Sequence, residues 1–379
     1  MLFFELLQIT LGNRERLGVV PSAEEWTEMY AESERQAVTG ILLHGIEKLS
    51  AEQRPAKVFL LQWIGVGEII KQQNSLLNGR CKELTSNLSA AGLHPTILKG
   101  QGIAQCYPES LQKLRQPGDI DVYVSDGREK AIAYAKALGQ KDIEWDYKHL
   151  HLKVWDDTEV EIHYRVEVLL NLWKNRKLQK WFREHQNAIF NANDNLNHKA
   201  NMDRTNETNG FVIPTVEFNV FYILLHIYRH FLYEGVGFRQ VIDYYFVLKQ
   251  LTVESLELRD SSELKDSIAA VLEFGMVKFA KGLMWVMHEA LGMPREWMLW
   301  KPDEKEGRYI LKQVVTGGNF GHHDERLRHT GGKLGAVKAI LKHNFHLLTH
   351  YPSDVIWAPV WIVWHKLWKT WTQFKGLKV

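Results

Sequence analysis

Cysteine is nearly absent, with only Cys81 and Cys106 in 379 residues. Two thiols cannot staple a secreted scaffold, and their spacing fits no zinc knuckle. An excess of one charge is also missing: 47 Lys and Arg against 45 Asp and Glu leave a formal +2. So near-neutral a chain is not expected to bind nucleic acid over its whole surface, although a nucleic-acid partner stays open. No apolar run reaches the ~18 residues needed to span a bilayer. Met1–Gly12 has no basic leader and Glu5 interrupts its apolar stretch. A signal peptide is therefore not expected, and the cytoplasm is the expected compartment. No internal repeat stands out. What is there is 45% apolar, 24% charged and 11% aromatic, which excludes wholesale disorder. The length allows two or three domains.

The expected fold class is α+β: a small mixed sheet with helices, flanked by helical regions. Residues 1–91 read as helical. Ser22 and Glu25 form a capping box ahead of Trp26–Leu49, where apolar residues recur at helical spacing, and Lys57–Ala91 continues the pattern. Residues 92–167 change character. Pro95–Leu98 is short and apolar, Asp119–Val124 alternates, and Arg128–Leu138 reads as an Ala-rich helix. His149–Trp155 and Val160–Val166 are two more strands, joined through Asp156-Asp157-Thr158 as a hairpin. Residues 168–379 return to helix: Pro214 opens one helix through Phe231, and Phe238–Leu251 and Ser262–Gly292 continue the pattern. Asn191–Gly210 reads as an exposed loop and Gly317–Gly335 as irregular. From Ala336 the tail reads as helical, interrupted at Pro352 and Pro359.

The chemistry concentrates in Gly118-Asp119-Ile120-Asp121-Val122. Side chains alternate along a strand, so Asp119 and Asp121 share one face and Ile120, Val122 and Val124 the other. Adjacent carboxylates repel unless a cation sits between them. An exposed edge strand would show the same pattern. Two further stretches favour the cation. Leu98-Lys99-Gly100-Gln101-Gly102 is a strand-end turn whose glycines would let backbone N–H groups approach a phosphate at the start of a helix near Gln101. In Glu161-Ile162-His163, the acid and the imidazole share a face of a later strand, and a third carboxylate would complete an oxygen site suited to Mg²⁺.

In this order, Leu98-Lys99-Gly100, Tyr107-Pro108, Arg115, Gly118-Asp119-Ile120-Asp121 and Glu161-Ile162-His163 resemble the nucleotidyltransferase superfamily related to DNA polymerase β. The likeness is closest to the bacterial family of uncharacterised nucleotidyltransferases. Leu225-His226, His230 and Arg239–Asp243 extend it downstream, beyond a motif core at residues 93–166. The chain departs from many superfamily members in having Gln101 where they place a serine after the glycine. The resemblance implies transfer of a nucleoside monophosphate, AMP from ATP in the first instance, to a hydroxyl acceptor with release of pyrophosphate. It implies Mg²⁺ or Mn²⁺ held by Asp119, Asp121 and Glu161, with Glu161 also a candidate general base. Lys99, Gly100, Gln101 and Arg115 become candidate nucleotide contacts, with Arg115 equally readable as a clamp on the aspartate strand. His163 reads as a supporting residue. His226, Arg239 and Asp243 read as a second layer or lid, with an Arg239–Asp243 helix staple as the plainer version.

Alternatives stay open at this point. An Asp-x-Asp also serves metal-dependent glycosyltransferases, but those place it after a long Rossmann-like half, and only residues 92–118 of α/β character come before it here. A non-catalytic nucleotide- or partner-binding protein of the same fold is the third reading. His226 and His230, at i and i+4, have zinc-compatible spacing but lack the Glu of a metalloprotease helix. Gly321–Glu325, with two histidines, reads as a polar loop or a mobile lid. Trp357, Trp361, Trp364, Trp368 and Trp371 form one helical stripe, flanked by His365, Lys366, Lys369 and Lys375. The 355–375 stretch could dock on the protein's own body, on a membrane surface or on a partner.

Overall fold

The computed structural model describes residues 1–190, 210–253, 256–319 and 347–374. The Asn-rich stretch before Gly210, the Gly321–Glu325 segment, the expected helix from Ala336 up to residue 346, and Lys375 lie outside these residues. The architecture is mixed α+β, mainly helical, with one four-stranded sheet.

In chain order the helices are α1 (Leu2–Leu11), α2 (Ala23–Arg35), α3 (Thr39–Lys48), α4 (Lys57–Ala90), α5 (Gln101–Ala104), α6 (Glu109–Gln112), α7 (Arg128–Ala137), α8 (Leu172–Glu184) and α9 (Gln186–Ile189). They continue as α10 (Val216–Tyr233), α11 (Phe238–Val253), α12 (Leu256–Asp260), α13 (Ser262–Glu273), α14 (Val277–Leu291), α15 (Glu304–Gly317), α16 (Pro352–Val355) and α17 (Trp357–Phe374). The strands are β1 (Pro95–Ile97), β2 (Ile120–Val124), β3 (His149–Trp155) and β4 (Thr158–His163). The residues group into two compact units, and neither is a continuous stretch of chain.

The first unit draws on Met1–Ser75, Ala104–Pro117 and the described part of Asn219–Gly332. The capping box forms as expected: Glu25 N–H donates to Ser22 Oγ at 3.2 Å, and Ser22 N–H donates to Glu25 Oε2 at 2.7 Å. The run expected over Trp26–Leu49 is nevertheless two helices, divided at Gln36–Val38 with Ala37 at φ 55°. Remote partners hold the break. Gln36 Oε1 accepts from the Phe238 N–H at 3.0 Å, and its Nε2 donates to the Val314 carbonyl at 3.2 Å. Helices α14 and α15 pack so closely that a Cβ on Gly307 would meet the Trp285 ring at 2.4 Å. Val220–Leu225 of α10 are all buried, as a helix apolar on every side must be.

The second unit draws on Leu76–Ile103, Gly118–Phe218 and the described part of Lys333–Val379. Its sheet runs β1-β2-β4-β3, with β2 and β4 parallel at the centre and antiparallel neighbours outside. The register decides what each face carries. Ile120, Val122, Val160, Ile162, Leu150 and Leu152 turn to one side and join Leu77, Cys81, Leu84 and Leu88 of α4 in the core. The opposite side holds two polar rows, Asp121–Glu161–His151 and Tyr123–His163–His149, each a set of paired strand positions.

Helix α17 turns three tryptophans of its stripe inward. Tyr147 meets Trp361, Trp364 and Trp368 edge-on at centroid distances of 5.3, 5.1 and 5.0 Å, and Trp145 meets Trp368 at 5.8 Å. Arg128 lies over both Trp145 and Trp368. Those three residues therefore dock on the protein's own body, whereas Trp371 is exposed. Pro359 sits within the first turn of α17, where its missing N–H costs no helical hydrogen bond. Trp368 is only half-buried, so Trp368→Ala is expected to cost about 2–3 kcal/mol, just below the range for a buried ring. Urea denaturation reads this directly, and an unchanged midpoint would mean that the stripe does not support the fold.

Candidate active site

The polar face of the sheet lies over the central parallel pair. Asp121 on β2 is directly opposite Glu161 on β4, and Tyr123 is opposite His163. His163 is fully buried and Asp121 is 2% exposed. His163 Nε2 bridges the two acids, 2.8 Å from Asp121 Oδ1 and 3.0 Å from Glu161 Oε2. Asp121 Oδ1 also receives the Lys99 ammonium at 2.7 Å. A buried carboxylate is costly unless charge and hydrogen bonds compensate it, and here a cation and an imidazole do so.

Ionisation follows from these contacts. Burial alone would raise the Asp121 carboxyl, but the Lys99 ammonium and the His163 hydrogen bond outweigh it and hold the group well below the usual carboxylate range. Glu161 behaves likewise: against burial, the His163 bond and charge bring it down to about 2. Asp119 goes the other way. The Asp121 charge, then burial, push its carboxyl up despite Lys99. Burial works against the Lys99 charge, yet Asp121, Asp119, Glu161 and Glu167 together raise its pKa. The site therefore concentrates negative charge, which the Lys99 ammonium partly answers.

Asp121, Glu161 and His163 each offer a ligand atom, all within 4.8 Å of one another. Two carboxylates and an imidazole at that separation fit a divalent cation, and the elevated Asp119 carboxyl is the mark of surplus negative charge beside them. Asp119 is half-exposed, immediately ahead of β2, and outside that trio of ligand atoms.

The turn is built as the sequence requires. Gly100 has φ 54°, and a Cβ there would stand 3.2 Å from the Asp119 carbonyl oxygen, so a side chain would crowd the aspartate strand. Helix α5, however, is only four residues long, so the positive end expected near Gln101 amounts to little. The Gln101 side chain is buried and donates to Asn78 Oδ1 at 2.9 Å.

The remaining expected residues fall in the first unit. Arg115, 5% exposed, forms a two-pronged pair with Asp243: Nε to Oδ1 at 2.7 Å and Nη2 to Oδ2 at 2.8 Å. Tyr107 Oη donates to the same Oδ1 at 2.6 Å. Asp243 thus joins Arg115 and Tyr107 across more than a hundred residues. Arg239 Nη1 lies 3.5 Å from the carbonyl oxygens of Gln116 and Pro117. The His226 and His230 rings meet edge-on at 4.2 Å, and His230 Nδ1 reaches Glu234 Oε2 at 2.7 Å. Neither histidine belongs to a metal-sized trio among the described residues.

Glu234 offers a check on this helix. Burial would raise its pKa, but His230 and then Arg229 and His226 bring it down to about 2 from an ordinary 4.5. A depressed carboxyl contributes stability that is complete above pH 4.5 and is lost as pH falls toward 2. The side chain is 43% exposed and water screens the pair, so the contribution is at most about 1 kcal/mol. Urea midpoints measured across that window should fall less steeply for Glu234→Gln than for the wild type. Parallel curves would show that the pair does not stabilise the fold.

Sequence reading passed over His149 and His151, although their strand was evident. Spaced two apart on an alternating run, they share a face for the same reason as Asp119 and Asp121. It also passed over buried Glu167, whose Oε1 lies 3.5 Å from Lys148 Nζ. No curated protein and no solved structure matches the chain. Residues 22–271, well over half of the chain, match the family model described as uncharacterised nucleotidyltransferase, and the chain belongs to that family of enzymes.

Proposed function

We propose that this nucleotidyltransferase moves a nucleoside monophosphate, AMP from ATP in the first instance, onto a hydroxyl acceptor and releases pyrophosphate. The observation that carries the reading is the pairing of Asp121 with Glu161 on the central parallel strands, with the Lys99 ammonium set against Asp121. Asp119, Asp121 and Glu161 would hold Mg²⁺ or Mn²⁺, which when bound polarises the α-phosphate and lowers the pKa of the acceptor hydroxyl. In the transfer, the acceptor oxygen bonds to the α-phosphorus as the α–β bridging bond breaks. Pyrophosphate keeps the electron pair, and the hydroxyl proton leaves to solvent. Glu161, held near 2, stays ionised at neutral pH and suits ligation better than proton uptake. Lys99 supplies positive charge for the triphosphate, and Gly100 keeps the turn free of a side chain. His163 fixes the orientation of both central acids.

A cavity of about 650 Å³ in the same unit is lined by Tyr123, Ser125, Arg165 and Arg183 among others, but not by Lys99, Asp119, Asp121 or Glu161.

The test is incubation of the protein with Mg²⁺, a cell extract and each of the four nucleoside triphosphates labelled at the α-phosphate. Label appearing on an acceptor together with pyrophosphate supports the reading, and mass spectrometry then names the acceptor. Label transferred from none of the nucleotides, with Mg²⁺ or Mn²⁺, would sink it.

A further inference from the structure

The two oxygens of Glu161 face different neighbours. Oε2 is held by His163 at 3.0 Å, on the buried side. Oε1 lies 3.4 Å from His149 Nε2. His151 is the strand partner of Glu161, and the His149 and His151 rings meet edge-on at 5.0 Å. His149, His151 and Glu161 thus form a second trio whose ligand atoms lie within 4.8 Å of one another. All three residues are partly exposed, the His149 and Glu161 side chains at 14% and 17%, in contrast to buried Asp121 and His163. His149 and His151 also line a cavity of about 660 Å³, where Asp142, Glu144 and Asp146 stand against Lys141 and Lys369. That cavity opens both imidazoles to solvent.

We propose that His149, His151 and Glu161 are a binding site for a first-row transition-metal dication, distinct in chemistry from the magnesium-type site at Asp121. Two imidazoles and one carboxylate are a donor set that binds zinc with a fourth position left for water, and the open cavity provides that position. Imidazole nitrogen favours Zn²⁺ or Co²⁺ over Mg²⁺, which prefers oxygen. A carboxylate that could support one ligand stands nearby. His149 Nδ1 is buried with no hydrogen-bond partner among the described residues, and Asp146 Oδ1 stands 4.0 Å from it, where a small ring movement makes the carboxylate–imidazole bond that orients a ligating histidine. Because Glu161 is shared, the outer cation would sit beside the transfer site. That placement rests on the reading above, whereas binding of the ion does not.

The probe is Co²⁺, added to chelator-treated full-length protein in excess Mg²⁺ and followed by its visible ligand-field absorption and by calorimetry. One equivalent is expected to bind with the spectrum of a nitrogen-ligated ion. His151→Ala should weaken binding about tenfold or more. His149→Gln should also weaken it, and circular dichroism reports whether either variant stays folded. Asp121→Asn should keep the Co²⁺ spectrum. No bound Co²⁺, equal binding by the wild type and both histidine variants, or a spectrum lost only with Asp121→Asn would each overturn the proposal. AMP transfer without Co²⁺ binding removes this inference alone. Co²⁺ binding without any transfer keeps it and removes the reading of function.

Discussion

Asp121→Asn is expected to lower monophosphate transfer by about 10³-fold, the upper end of what one preorganised electrostatic group contributes. The residue is 2% exposed, and one of its oxygens answers both Lys99 and His163. Asparagine keeps a carbonyl oxygen able to accept one of those bonds, so the fold should survive with a loss of about 1–3 kcal/mol. Pyrophosphate release and a thermal melt, measured on one preparation, separate the two effects. Transfer at the wild-type rate would remove Asp121 from the chemistry. Lost transfer in an unfolded variant would be settled by Asp119→Asn, a half-exposed position with no comparable packing role.

The largest loss of stability is expected from Asp243→Ala, about 3–5 kcal/mol, because it strands a buried guanidinium. Burial works against the Arg115 charge, and the Asp243 carboxylate is what raises its pKa and keeps it charged. Tyr107 loses its acceptor at the same time. The double replacement Arg115→Met with Asp243→Leu should recover the part of the loss due to the stranded guanidinium, while the orphaned Tyr107 hydroxyl keeps the rest. Denaturant midpoints of the single and double variants give the coupling directly. An Asp243→Ala protein of undiminished stability but raised KM for nucleotide would instead return Arg115 to the triphosphate.

The strands of the candidate site were legible because alternation is a local signal. Asp119-x-Asp121 and Glu161-x-His163 declare a shared face without reference to any other residue. Their neighbours were not legible, because order in a sheet is non-local: β2 lies against β4, not β3. The same limit hid the Arg115–Asp243 pair, whose members are far apart in sequence. It also hid the break at Gln36–Val38, where helical periodicity continues but bonds from Phe238 and to Val314 override it. Helix α5 shows the reverse error. A glycine turn signals a helix start but carries no information on length. His149 and His151 were missed for a different reason: their spacing is as informative as that of the aspartates, but imidazoles on a strand are more often read as surface.

The Lys99–Asp121 contact bears on how the protein comes into being. Many small metal-binding domains collapse only when their ion arrives, because the bare ligands repel one another. Here the chain carries its own counter-ion, and the acidic nest is partly self-neutralised before anything diffuses in. Folding of the chain is thus not expected to wait on a metal ion, and chelator-treated protein should keep its native structure.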